Sequence, residues 1–186
     1  MISRLNQPRI HPLPSEERSA SAQDLLDATR TGGSDSNILA TFVRAEGLTR
    51  KWLPFAGKLA TGKLPARDRE LLILRTVWNC KTESEWAQHA VSGQASGLTS
   101  EEIDRVAAGP DADGWAEFDA LLLRAADELH TDRFISESTW TGLAEHYDVL
   151  QLIELPMLVG NYQMVAMTLN SLGVQVDDGL SGFPAA

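Results

Sequence analysis

Asp68-Arg69-Glu70-Leu71-Leu72-Ile73-Leu74-Arg75-Thr76-Val77-Trp78 is the stretch on which the fold turns. Leu71, Leu72, Leu74, Val77 and Trp78 recur at helical spacing and cover a broad apolar face. Asp68 is expected to cap this helix and Glu70 to sit in its first turn. The next segment, Glu83 to Ser96, carries Ala87, Ala90, Ser92, Gly93 and Ala95. Small side chains of that kind let a second helix approach the first closely, and Gly97 is a natural stop for it.

The same periodicity extends in both directions. Upstream, Ser21 followed by Asp24 resembles a capping box for a short helix through Leu25 and Leu26, closed by Gly32-Gly33. Ile38, Leu39, Phe42 and Val43 form a further stripe, and Leu48, Trp52, Phe55 and Leu59 another, which Pro54 limits in regularity. Downstream, Thr99-Ser100-Glu101-Glu102 is a capping box, and Gly109-Pro110 breaks the helix it opens. Trp115, Phe118, Leu121, Leu122, Ala125 and Leu129 mark a helix that Asp111 or Asp113 is placed to cap. Ser136 opens one with Trp140, Leu143, Ala144 and Tyr147 on its face, and the last runs from about Val149 to Leu172, ended by Gly173. No stretch shows sustained period-two alternation and no Asn-Gly or Asp-Gly pair lies between β-branched runs as a hairpin would, so the chain is expected to be all-α with seven to nine helices in one domain, 1–186. Residues 1–20, with Pro8, Pro12 and Pro14, read as an extended arm suited to wrapping a partner subunit.

Composition narrows the partners. A formal net charge of -10 repels phosphate backbones and anionic lipid, which argues against nucleic acid and membrane surfaces. Leu155 to Val176 carries no charge and is long enough to cross a bilayer, but Asn161, Gln163, Asn170, Ser171 and Gln175 would need partners there. A helix buried in a core or a subunit interface is the expected reading. Arg4 and Arg9 are followed by no apolar run, so no signal peptide is expected and the location is taken as cytoplasmic. The single cysteine, Cys80, excludes an intramolecular disulfide and a CxxC pair.

Four histidines remain as candidates for chemistry. His11 lies in the arm, and His130 and His146 fall near helix ends, where an imidazole favours the C-terminal dipole. His89 differs, because Glu85 in Glu85-Trp86-Ala87-Gln88-His89 precedes it by one helical turn. A carboxylate there stabilises the imidazolium and orients the ring, as a general acid or base requires. An ordinary surface ion pair gives the same spacing. If the two central helices pack side by side, Glu70 joins Glu85 and His89 in a partly desolvated acid/base cluster. No metal ligand set is completed by these residues.

Leu64-Pro65-Ala66-Arg67-Asp68-Arg69-Glu70-Leu71-Leu72-Ile73-Leu74-Arg75, Glu85-Trp86-Ala87-Gln88-His89 and Ala95-Ser96-Gly97-Leu98-Thr99-Ser100-Glu101-Glu102-Ile103 together resemble the carboxymuconolactone decarboxylase family, within the alkylhydroperoxidase D-like superfamily. The resemblance covers roughly residues 38–110, with 113–174 expected as C-terminal helices, and the ending Leu152-Ile153-Glu154-Leu155 through Gly160-Asn161-Tyr162 and Leu169-Asn170-Ser171-Leu172-Gly173-Val174 is similar to longer members of that family. It implies an alkylhydroperoxidase D-like helical bundle that assembles as a homo-oligomer, a dimer, trimer or hexamer, with the active site near an interface. Peroxidase members carry a CxxC pair whose positions correspond here to Thr82 and Glu85, while their glutamate and histidine correspond to Glu70 and His89. The redox pair is absent and the acid/base scaffold remains.

The expected function is that of a lyase or isomerase, needing no cofactor, acting on a small carboxylated or lactone-like metabolite. His89, Glu85 and Glu70 are its catalytic residues, with Trp86 and Cys80 at the substrate pocket. Two alternatives stand beside it: a peroxidase-like protein relying on Cys80, and an assembly module in which the same residues only build an interface.

Overall fold

The computed structural model describes residues 5–29 and 36–184, and among these no strand occurs. Its helices are α1 (Ala20–Asp27), α2 (Asn37–Phe42), α3 (Glu46–Ala60), α4 (Ala66–Asn79), α5 (Glu83–Ala95), α6 (Ser100–Val106), α7 (Glu117–Thr131), α8 (Glu137–Ala144) and α9 (Val149–Leu172), with 3-10 turns at Ser15–Glu17 and Val43–Ala45. The fold is all-α, as the periodicity predicts.

Helix α4 is the axis of the bundle. Leu71, Leu72, Ile73 and Leu74 follow one another and are all at most 2% exposed. Four consecutive residues point almost all the way round a helix, so α4 is enclosed on every side. Helices α5, α6, α7 and α9 pack against it and bring Trp86, Ile103, Val106, Leu122, Leu123, Leu155 and Leu158 into one core. Burial all round also explains why Glu70, on the same helix, needs a partner inside the protein.

Local chemistry sets the ends of these helices. Thr99 and Glu102 form the reciprocal capping box read from the sequence, and Asp148 with Gln151 forms another at the start of α9. Gly173, at φ +72, ends α9 in the left-handed conformation that glycine adopts without cost. Other expected caps move. Ser19, not Ser21, accepts from the Ala22 amide to open α1, which ends at Asp27; Gly32-Gly33 lie outside the described residues. Pro65 starts α4, so Asp68 falls in the first turn, where it accepts from the Tyr147 hydroxyl at 2.8 Å, and Glu70 falls in the second. Neither Asp111 nor Asp113 caps α7; Asp111 instead pairs with Arg124 at 2.7 Å.

Leu48 and Phe55 were expected on the inner stripe of α3, yet they are 76% and 40% exposed. The inner face is set instead by polar anchors: Thr49 donates to the Phe42 carbonyl at 2.6 Å, and the Trp52 indole donates to Asn161 at 2.8 Å. Pro54 does not interrupt α3, because it lies on the exposed side, where water satisfies the carbonyl it leaves unpaired.

Among the described residues, 5–19 carry no α-helix and are held by their own chain. Arg9 bonds the Leu172 carbonyl through its backbone amide at 2.8 Å, Leu13 bonds Ala40 at 2.8 Å, and Arg44 donates to the His11 carbonyl at 2.7 Å. These contacts fasten the arm to α2 and the end of α9, so wrapping a partner is not needed to satisfy it. No helix among the described residues is long and apolar enough to cross a membrane. Helix α9 nevertheless presents Leu150, Ile153, Met157, Met164 and Met167 to solvent at between 46% and 63% exposure.

Candidate active site

The turn between α4 and α5 determines what meets. Lys81 sits at φ +56, a left-handed conformation that a side-chain-bearing residue adopts at a cost of roughly 1–2 kcal/mol. Its amide bonds the Trp78 carbonyl and the Thr82 amide bonds Val77, which closes α4 with two bonds. The Lys81 ammonium lies over the Trp78 ring, 4.1 Å from its centroid. The chain then reverses, and α5 runs back along α4.

That reversal brings together three of the residues expected from the sequence. The His89 Nδ1 lies 2.7 Å from Glu70 on α4, and its Nε2 lies 3.3 Å from Glu85 one turn earlier on α5. Both carboxylates are buried, at 5% and 6% exposure, so this is not a solvated surface pair. Tyr162 of α9 stands edge-on to the imidazole, with ring centroids 4.9 Å apart and an interplanar angle of 88°. Arg69 lies on the other side of Glu70, its Nε 3.8 Å from the second carboxylate oxygen.

The electrostatics follow from this packing. Burial alone would push the imidazole down, but the hydrogen bonds to Glu70 and Glu85 outweigh it and hold His89 at about 9. At neutral pH His89 is an imidazolium with both N–H groups directed at carboxylates. The Glu70 bond is short and fixes the ring; the Glu85 contact is longer and leaves the Nε2 proton the one more easily redirected. Burial, reinforced by the Glu85 and Glu70 charges, keeps the Tyr162 phenol well above its ordinary range. Tyr162 is therefore a neutral wall that keeps its proton and does not serve as a base.

The profile of the carboxymuconolactone decarboxylase family matches residues 46–128, which hold Glu70, Glu85 and His89. Over these residues the chain is similar to that family. A peroxidase-related protein with an alkylhydroperoxidase AhpD core, from Ralstonia eutropha JMP134, has a similar structure at 17% identity, covering 89% of this chain and 87% of its own, with a TM-score of 0.75. A peroxidase-related protein from Silicibacter sp. TM1040 is 13% identical, with coverage of 94% and 92% and a TM-score of 0.75. The debrominase Bmp8, in complex with 2,3,4-tribromopyrrole, is 11% identical over 95% of each chain, with a TM-score of 0.74. At these identities the likeness is one of fold. No curated protein matches the sequence.

Of the two other residues expected at the pocket, Trp86 lies on α5 about one turn before His89, and Cys80 lies at the end of α4. Trp86 is 2% exposed and packs between Trp78 and Phe183 in the core, with ring centroids 5.7 and 5.4 Å away. Cys80 follows α4 at its far end, roughly 15 Å of helix rise from Glu70. There its sulfur lies 3.8 Å from Nδ1 of His130, and its carbonyl accepts from Asn170. Asn170 and Lys81 border a separate cavity of about 780 Å³, which neither His89 nor Glu70 lines. Thr82, at the first cysteine position of the peroxidase pattern, is 1% exposed just before α5, and Glu85 fills the second.

Sequence reasoning missed two contributors. Tyr162 stood in the quoted C-terminal motif without a role, because nothing in its spacing shows which helix it will face. Glu154, also on α9, accepts from the Lys63 and Leu64 amides at 2.7 and 3.1 Å and pins the loop that leads into α4. Its place in an apolar run, Leu152-Ile153-Glu154-Leu155, was the available signal.

Proposed function

We propose that the chain is a lyase of the decarboxylase type, or a closely related isomerase, acting on a small carboxylated or lactone-like metabolite by proton transfer from His89. The observation that carries this reading is the imidazolium itself, held between Glu70 and Glu85 and protonated up to about pH 9. In a decarboxylation the C–C bond to the carboxylate breaks, CO₂ departs, and the electron pair passes into a conjugated carbonyl of the substrate. The resulting enolate needs one proton at carbon. His89 delivers it from Nε2, Glu85 shifts from partner of that proton to partner of the next, and water restores it. Glu70 holds the ring in place throughout and so acts as the positioning residue. Similarity to the family model over residues 46–128 supports an enzymatic role on a small molecule.

The test is CO₂ release from carboxymuconolactone and related unsaturated carboxylated lactones. Replacing a positioned proton donor costs about 10²–10⁴-fold in rate, so His89→Asn and Glu85→Gln are expected to lose at least about a hundredfold in kcat. No CO₂ from the unaltered protein across such substrates, or full turnover in both variants, refutes the reading.

We also propose that the enzyme works as a homo-oligomer whose contact includes α9. Support comes from the exposed side chains of that helix: Leu150, Ile153, Met157, Gly160, Met164 and Met167 alternate at three- and four-residue spacing, the repeat of a helix seam. No charge interrupts them after Glu154, so an acidic chain meets a second copy of itself there without repulsion.

A further inference from the structure

Three arginines flank the apolar run of α4, and their surroundings separate them. Arg67 is fully engaged: its guanidinium makes a two-pronged pair with Asp119 at 2.7 and 2.9 Å and a third bond to Glu102 at 2.6 Å. Arg75 is engaged as completely, by Asp127 at 2.6 and 2.9 Å and by the Val106 carbonyl at 2.7 Å. Arg69 differs. Among the described residues its hydrogen-bond and ion-pair partners are the Leu64 carbonyl, at 3.5 Å, and Glu70, at 3.8 Å from Nε, and its charge also acts on Tyr162. Both distances are at or beyond the limit of a useful hydrogen bond. Yet its side chain is only 14% exposed. A largely sheltered guanidinium with most of its five donors unused is an anion site in waiting, since Arg is the side chain whose fork fits a carboxylate.

We propose that Arg69 is the carboxylate-binding residue of the His89 cluster, which selects substrates that arrive as anions. The proposal rests on the reading of that cluster as a substrate site and adds the residue that recognises the substrate. Charge arithmetic favours it: Arg69 and the His89 imidazolium offset Glu70 and Glu85, so the cluster is neutral and accepts an anion. Without Arg69 the two carboxylates prevail and repel one. The bound carboxylate is also not the one that leaves. An ion pair with the departing carboxylate would stabilise the ground state against neutral CO₂ and slow the reaction. Arg69 therefore holds a carboxylate that survives into the product, and the group that reacts lies beyond it, toward His89.

The test is binding of benzoate, with benzamide as its neutral counterpart, measured by calorimetry and by tryptophan fluorescence. The unaltered protein binds benzoate and discriminates against benzamide. Arg69→Gln loses at least about tenfold in benzoate affinity, the scale of a charge-assisted hydrogen bond, and no longer distinguishes the two compounds. Arg69→Lys, which keeps the charge and loses the fork, falls between and guards against a folding defect in the glutamine variant. Unfolding temperatures of both variants stay close to that of the parent, since the contact to Leu64 is weak. Equal benzoate affinity in Arg69→Gln, equal affinity for benzamide, or no benzoate binding by the parent overturns the proposal. Loss of benzoate binding in Arg69→Gln from a parent that releases no CO₂ from any lactone upholds the anion site and removes the lyase reading alone.

Discussion

Replacing Glu70 with Gln tests the electrostatics of the cluster most directly, because it keeps the shape of the side chain and removes one of the two charges on His89. The imidazole stands at about 9 against an ordinary 6.5, which corresponds to roughly 3 kcal/mol of preference for the protonated form in the folded protein. Because the folded value is the higher one, that stabilisation is fully present below about pH 6.5 and is lost as pH rises through about 9. Glu70 makes the shorter of the two bonds, so at least half of the effect is assigned to it. Glu70→Gln is expected to lower the His89 pKa by more than about one unit and to cost about 1–2 kcal/mol near neutral pH. The difference between the two proteins narrows above pH 9, where both imidazoles are neutral. Proton NMR of the His89 ring gives the pKa, and urea midpoints at several pH values give the stability difference. A parent His89 that titrates at its ordinary value, or one that Glu70→Gln leaves unmoved, refutes the reasoning.

Two further outcomes follow from the placement of other residues. Cys80→Ser leaves turnover within about twofold, because the thiol stands roughly 15 Å of helix rise from Glu70; kinetics of the variant on any substrate the parent converts check this, and a loss comparable to that of His89→Asn contradicts it. Paired Met157→Glu and Met164→Glu substitutions place like charges on the exposed stripe of α9 and are expected to yield monomers by light scattering, whereas an assembly of unchanged mass shows that this face is not a contact.

What the sequence made readable was periodic or local. The enclosed helix α4, the box at Thr99 and Glu102 and the left-handed stop at Gly173 each depend on residues within a turn or two of one another. The pairing of Glu85 with His89 was legible for the same reason. Glu70 was within reach only as a condition, since its meeting with His89 depends on the chain reversing at Lys81, a residue whose type gives no sign of a left-handed turn. The misplaced caps at Ser21, Asp68 and Asp111 show the limit from the other side: several residues of capping type lie near each helix start, and packing decides among them.

Arg69 shows why partner accounting sees what spacing does not. Arg67, Arg69 and Arg75 lie on one helix within nine residues and carry the same charge, so nothing in their type separates them. Their roles separate only through Asp119, Glu102 and Asp127, which come from α6 and α7 and take up the first and third. An arginine on the surface needs no partner, because water supplies one. An arginine that is 14% exposed does need one, and this chain provides only weak contacts, to Leu64 and Glu70. The unmet requirement is what connects the packing of α4 to the chemistry of its substrate. The same packing that commits Arg67 and Arg75 to the fold leaves Arg69 as the cation through which the site discriminates between an acid and its neutral analogue.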